Sequence, residues 1–180
     1  GARGHRPPVM TASNAPLLPE GLRDRLPPEA EAASRVTRAM IDAMAACGYA
    51  RVAPPIAEYR ETLAGDADDP VARDLLRFTD PVSRRTLAIR PDITRQIGRI
   101  AGTLLGSAPR PLRLSYAGQV VKLAATTLWP EREMLQIGAE LIGNDSVAAA
   151  GEIARLAVEC LRAAGVGSVQ IDLTLPDLVD

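Results

Sequence analysis

The chain has 180 residues, 47% of them hydrophobic and 24% charged, with a net charge of −1. This is the profile of one soluble globular domain with a sizeable core, and no apolar run reaches the ~20 residues of a membrane span. The 21 basic residues are scattered, and only Lys122 among them is a lysine. This argues against tRNA or DNA binding, which is built on clustered Lys and Arg neutralising phosphates.

Residues 1–9, ahead of Met10, read as a vector remnant, and residues 1–16 together as a disordered leader. Pro27-Pro28-Glu29 opens a helix with proline and an acid in the first turn. Ala33, Val36, Met40, Met44 and Cys47 recur at helical spacing, and Gly48 ends the helix. Residues 49–53 read as a short strand stopped by Pro54-Pro55, and residues 61–72, with Gly65, Asp66, Asp68, Asp69 and Pro70, as a loop or frayed turn. Residues 76–79 and 86–90 form a hairpin across a polar turn. Residues 92–104 form a helix with Ile93, Ile97, Ile100 and Leu104 on one side. Two strands, 111–123 and 131–142, flank a loop at 124–130. Asn144, Asp145 and Ser146 offer caps for a last helix, buried along Ile153, Leu156, Cys160 and Leu161. A final strand is expected at 168–173. Neighbouring strands on short loops should pair antiparallel, giving an α+β fold with helices packed on an antiparallel sheet.

The only histidine, His5, lies in the leader. Histidine acid–base chemistry, Ser-His-Asp triads and histidine-ligated metals are therefore excluded from the remainder. No glycine-rich phosphate loop is present, and neither a metal nor a cofactor is expected. Cys47 and Cys160 read as buried free thiols, consistent with a cytoplasmic setting.

Three segments carry chemistry. Along 133–142, alternation puts Leu135, Ile137, Ala139 and Leu141 on a core face. Met134, Gln136, Gly138 and Glu140 share the other, where a glycine between two polar residues leaves open space for a small molecule, unless that side simply faces solvent. At Arg90-Pro91-Asp92-Ile93-Thr94, Asp92 either presents a carboxylate to an ammonium group, with Thr94 beside it, or caps the following helix. The two roles are compatible if one carboxylate oxygen stays free. In the third segment, Lys122 and Arg132 flank a loop and either approach a nucleotide or are ordinary surface charges.

In this order these segments resemble the histidyl-tRNA synthetases and their paralogues across roughly residues 17–175. Leu18-Pro19-Glu20-Gly21-Leu22-Arg23-Asp24 is similar to the start of that family, and Val52, Pro54 and Pro55 with Glu58-Tyr59 resemble class II motif 1, which implies a dimer interface. Residues 87–94 resemble the segment holding the amino group of histidine; residues 114–123 and 135–143 resemble motif 2. Within the family the stretch 117–143 is most similar to the regulatory subunits of ATP phosphoribosyltransferase.

The resemblance implies a partial class II synthetase-like core over 17–180, stopping before motif 3, with an exposed sheet edge and self-association. It also implies a histidine site at Asp92, Thr94, Gln136 and Glu140. It implies a non-catalytic role, because Lys122 and Ala124 stand where the synthetase pattern has Arg and Glu. An ammonium cannot reproduce a bidentate guanidinium fork, and a lost transition-state donor costs about 2.7–4 kcal/mol in comparable sites. The implied partner is the catalytic subunit of a short-form ATP phosphoribosyltransferase, with L-histidine as a candidate ligand. The alternatives are a fragment of an active histidyl-tRNA synthetase and a stand-alone amino-acid-binding module.

Overall fold

The computed structural model describes residues 18–65 and 70–172. The expected leader at 1–16, the acidic residues Asp66, Asp68 and Asp69, and the last position of the strand expected at 168–173 lie outside them. The described elements are α1 (Glu29–Ala46), β1 (Ala50–Arg51), β2 (Ala57–Tyr59), α2 (Arg60–Ala64), a 3-10 turn (Pro70–Arg73), β3 (Leu76–Thr79), β4 (Thr86–Ile89), α3 (Thr94–Gly102), β5 (Leu112–Val121), β6 (Glu133–Ile142) and α4 (Val147–Ala163).

Local chemistry sets the helix ends. Glu29 and Glu31 sit at the positive end of the α1 dipole. Gly48, at φ +84°, turns the chain out of the helix in a conformation that disfavours side chains. Ser146 caps α4 by accepting a hydrogen bond from the Ala149 amide at 3.2 Å.

The strands form two three-stranded sheets, β1-β5-β6 and β2-β4-β3, rather than one. The central pair is antiparallel over ten residues, from Leu112 opposite Ile142 to Val121 opposite Glu133. The expectation of wholly antiparallel pairing fails at β1, which runs parallel to β5. Residues 52–111 intervene between them, a crossover long enough to reverse direction.

Both faces of the central pair are covered. On one face Leu112, Leu114, Tyr116 and Val120 pack against Ile93, Ile97 and Ala101, with Met134 and Ile142 added from β6. On the other, Ala117, Ile137 and Ala139 meet Ile41, Met44, Leu156 and Cys160 of α1 and α4. The single core face expected for β6 is thus one of two apolar faces.

Other expectations are corrected. The loop expected at 61–72 holds α2 and the 3-10 turn, and β2, missed between the prolines and α2, pairs with β4. The described part of the strand expected at 168–173 is not strand. Leu104 is 76% exposed and Leu161 is 38% exposed, so neither belongs to the stripe assigned to it. The helix bearing Leu104 closes at Gly102, which carries that side chain off the apolar face. Cys47 and Cys160 are free thiols; the second is buried and the first only half-buried.

Candidate functional site

The turn into α3 and the inner stretch of β6 are brought together by the register of the central strand pair. Gly118 lies opposite Gln136, Tyr116 opposite Gly138, and Leu114 opposite Glu140. Because side chains alternate, these residues share the face on which α3 is packed. Asp92, Thr94, Gln136 and Glu140, picked out separately in the sequence, therefore belong to one polar network.

Asp92 Oδ1 accepts from the Thr94 amide at 2.7 Å, and Asp92 Oδ2 accepts from Gln136 Nε2 at 2.7 Å. Gln136 Oε1 in turn accepts from the Ile93 amide at 2.9 Å. Asp92 is thus both a backbone cap at the start of α3 and a member of the network. Neither of its oxygens is without a partner, although each keeps a second lone-pair direction. The Thr94 hydroxyl lies 3.1 Å from the Tyr116 hydroxyl, which donates to Glu140 Oε1 at 3.2 Å.

Tyr116 was not singled out in the sequence, where it fell inside the strand expected at 111–123. It is 3% exposed. Burial, with the Glu140 and Asp92 charges nearby, pushes its phenol up to about 12, so the hydroxyl keeps its proton at neutral pH. Its ring also corrects the reading of Gly138. A Cβ on Gly138 would fall 2.4 Å from the Tyr116 hydroxyl oxygen. The space above the glycine is filled by the tyrosine rather than left open as a floor.

Arg90 plays the same part over Gly118, whose Cβ would fall 2.2 Å from Arg90 Nη2. Arg90 is 6% exposed and gives its N–H groups to carbonyls: Gln119 at 2.8 Å, Pro54 at 2.8 Å and Pro55 at 3.3 Å. Gln96 Nε2 donates to the Pro55 carbonyl at 2.8 Å and to Glu58 Oε1 at 2.8 Å. Burial lowers the Arg90 pKa and the Glu58 charge works against that. The motif 1-like prolines therefore turn their carbonyls inward. Val52 packs its side chain into the chain's own core and donates to the Ser115 carbonyl at 2.8 Å. Pro55 and Ile56 are exposed.

Lys122 and Ala124 are exposed and, with Leu123, Trp129, Glu131 and Met134, line a depression of about 570 Å³. Met134 precedes Gln136 by two residues on the same face, so the depression adjoins the network. Arg132 does not reach into it. Its side chain donates to the Lys122 carbonyl at 3.1 Å and the Glu20 carbonyl at 3.4 Å, and it packs on Gly21, where a Cβ would fall 2.6 Å from Arg132 Cγ. Glu131 is held by Arg23 at 2.8 Å and Arg25 at 3.0 Å, which keep its carboxyl below the usual range. The acid–base pair after the loop thus fastens the segment before α1 to the start of β6.

A family model described as histidyl-tRNA synthetase matches residues 21–180. An ATP phosphoribosyltransferase regulatory subunit from Paramagnetospirillum magneticum is 46% identical over 171 residues, 95% of this chain and 45% of that protein. Another from Rhodospirillum centenum is 46% identical over 163 residues, 91% of this chain and 42% of that protein. The chain spans less than half the length of these curated relatives. Among solved structures, an ATP phosphoribosyltransferase regulatory subunit/histidyl-tRNA synthetase from Bacillus halodurans matches with a TM-score of 0.72 at 31% identity, covering 87% of this chain and 40% of that one. Apo S. aureus histidyl-tRNA synthetase matches with a TM-score of 0.67 at 20% identity over 83% of this chain and 35% of that one, a likeness of fold alone. The fold is that of the class II aminoacyl-tRNA synthetases, α+β, with its sheets flanked by helices.

Proposed function

The chain belongs to the histidyl-tRNA synthetase family, and on that footing we propose that it serves as a non-catalytic regulatory subunit of ATP phosphoribosyltransferase. In this reading it comes from a cytoplasmic protein that completes a short-form transferase. The partner joins ATP to phosphoribosyl pyrophosphate in the first step of histidine biosynthesis. Free L-histidine binds at Asp92, Thr94, Gln136 and Glu140 and takes part in feedback. A ligand moves such an assembly only through different affinities for its states. Copies of the chain meet along the segment carrying Val52, Pro54 and Pro55.

The observation that carries this reading is the chemistry beside the network. By the resemblance, Lys122 and Ala124 stand where a synthetase grips the α-phosphate; here the first is an exposed ammonium and the second an exposed methyl, while Arg132 is spent on backbone carbonyls. Adenylate formation needs preorganised charge at that phosphate, and holding an amino acid does not. The relatives at 46% identity carry the regulatory-subunit name, which agrees.

The test mixes the chain with a short-form ATP phosphoribosyltransferase and follows product formation. A rise in turnover is expected, along with no ATP–pyrophosphate exchange when the chain is given histidine and ATP alone. An unchanged rate removes the regulatory reading, and exchange activity returns the chain to the synthetases.

A further inference from the structure

We propose that Tyr116 is a positioning residue of the polar network of Asp92, Thr94, Gln136 and Glu140, acting through Glu140 and Thr94. The inference rests on the reading of that network as an amino-acid site, and it concerns a residue that never has to touch the ligand.

The argument is one of counting protons. A phenol has a single O–H to give and two lone-pair directions to receive with. Tyr116 gives its proton to Glu140 Oε1 at 3.2 Å. The 3.1 Å contact with Thr94 must then run the other way, with the Thr94 hydroxyl donating to the Tyr116 oxygen. The chain of bonds is directional, Thr94 to Tyr116 to Glu140. It commits the one hydroxyl proton of Thr94 inward and leaves Thr94 Oγ1 facing outward only as an acceptor. Glu140 Oε2 has no hydrogen-bond partner among the described residues, so it is the second outward acceptor. Asp92 adds remaining lone pairs beside them. These three groups suit a ligand that brings N–H donors, such as an ammonium group and a ring N–H.

Tyr116 can enforce this polarity because it cannot move. It is nearly fully buried among Ile93, Ile97 and Leu114. Its ring lies across the backbone of Gly138, where any side chain would collide with it. A buried hydroxyl bonded on both sides loses more than one hydrogen bond's worth if either partner goes, because the survivor is left dry and unpaired.

The experiment is a double-mutant cycle read by calorimetric titration with L-histidine. Tyr116→Phe keeps the ring and removes the hydroxyl. In the wild-type background it is expected to weaken L-histidine by roughly tenfold or more, the scale of a lost bond to a charged group. In a Glu140→Gln background the same substitution is expected to cost at most about twofold, because the group through which it acts is already disabled. A purely structural tyrosine would cost the same factor in both backgrounds, and that result overturns the proposal. Tyr49→Phe is the control. Tyr49 makes the same kind of buried bond, to Glu152 at 2.9 Å, on the far face of the sheet, and its loss should leave affinity unchanged.

If Tyr116→Phe does not fold, Thr94→Ala at the exposed start of α3 breaks the outer link and takes its place in the cycle; it also removes an acceptor facing the ligand, so it costs affinity in both backgrounds, with a clearly smaller factor expected in Glu140→Gln, and equal factors overturn the proposal. A wild-type chain that does not bind L-histidine removes the amino-acid reading of the pocket and the role of Tyr116 with it. Binding without coupling removes only the role.

Discussion

Gly138 and Gly48 are both glycines for steric reasons, but the reasons differ. At Gly138 the obstacle is a neighbour: Tyr116 lies 2.4 Å from where a Cβ would stand. At Gly48 nothing lies within 4 Å, and the obstacle is the backbone itself at φ +84°. Gly138→Ala should therefore behave as overpacking, costing about 1–3 kcal/mol, and should also disturb ligand binding. Gly48→Ala should cost about 1–2 kcal/mol through backbone strain and leave the pocket alone. Urea unfolding paired with L-histidine titration separates the two; equal binding loss in both variants would refute the local account. Ile97, 0% exposed in the α3 core, should cost about 2–5 kcal/mol when cut to Ala, with an unchanged denaturant slope. At this scale the sequence exposed the polar candidates but hid Tyr116 and Arg90. An aromatic in an apolar strand and an arginine at a strand end look ordinary until the register names their neighbours.

Helix α4 is tied to the sheet by one carboxylate. Glu152 accepts from Arg113 at 2.6 and 2.8 Å and from Tyr49 at 2.9 Å, joining α4, β5 and the turn between α1 and β1. The Arg113 bonds come first in holding its carboxyl down to about 2, and Tyr49 adds to them. A depressed carboxyl contributes stability that is present above its unfolded value of 4.5 and lost as pH falls toward 2. The unfolding free energy should therefore drop between those values, and Glu152→Gln should flatten that slope. Tyr49 runs the other way. Burial first, then Glu152, lifts it to about 12, so its contribution is present below 10 and is lost as pH rises from 10 to 12. Denaturation across pH measures both, and an acid limb unchanged in Glu152→Gln would refute the tie. Helix and strand periods were readable for α1, α3, α4, β5 and β6. The failures, at β2, α2 and residues 168–172, are short segments where a period has no room to declare itself.

For the molecule as a whole, β6 is the outer strand of its sheet, and no described strand pairs with its far side. A ten-residue edge with unpaired backbone groups invites another chain, and Trp129 and Leu128 stand nearly bare on the loop before it, 67% and 85% exposed. Self-association is the expected outcome, and sedimentation velocity showing a compact, non-associating monomer at all concentrations would contradict it. Among the described residues no helix is long and apolar enough to cross a membrane.

The amino-acid sequence alone determined the α+β class, the long helices, the central hairpin and the residue types that identify the family. All of these rest on local spacing, which a chain carries without being folded. Tertiary structure decided the parallel pairing of β1, the two-sided burial of β6 and the closing of Asp92, Thr94, Gln136 and Glu140 around Tyr116. Those depend on register between strands and on contacts across dozens of residues, and alternation along one strand cannot say which side chain of another will lie opposite.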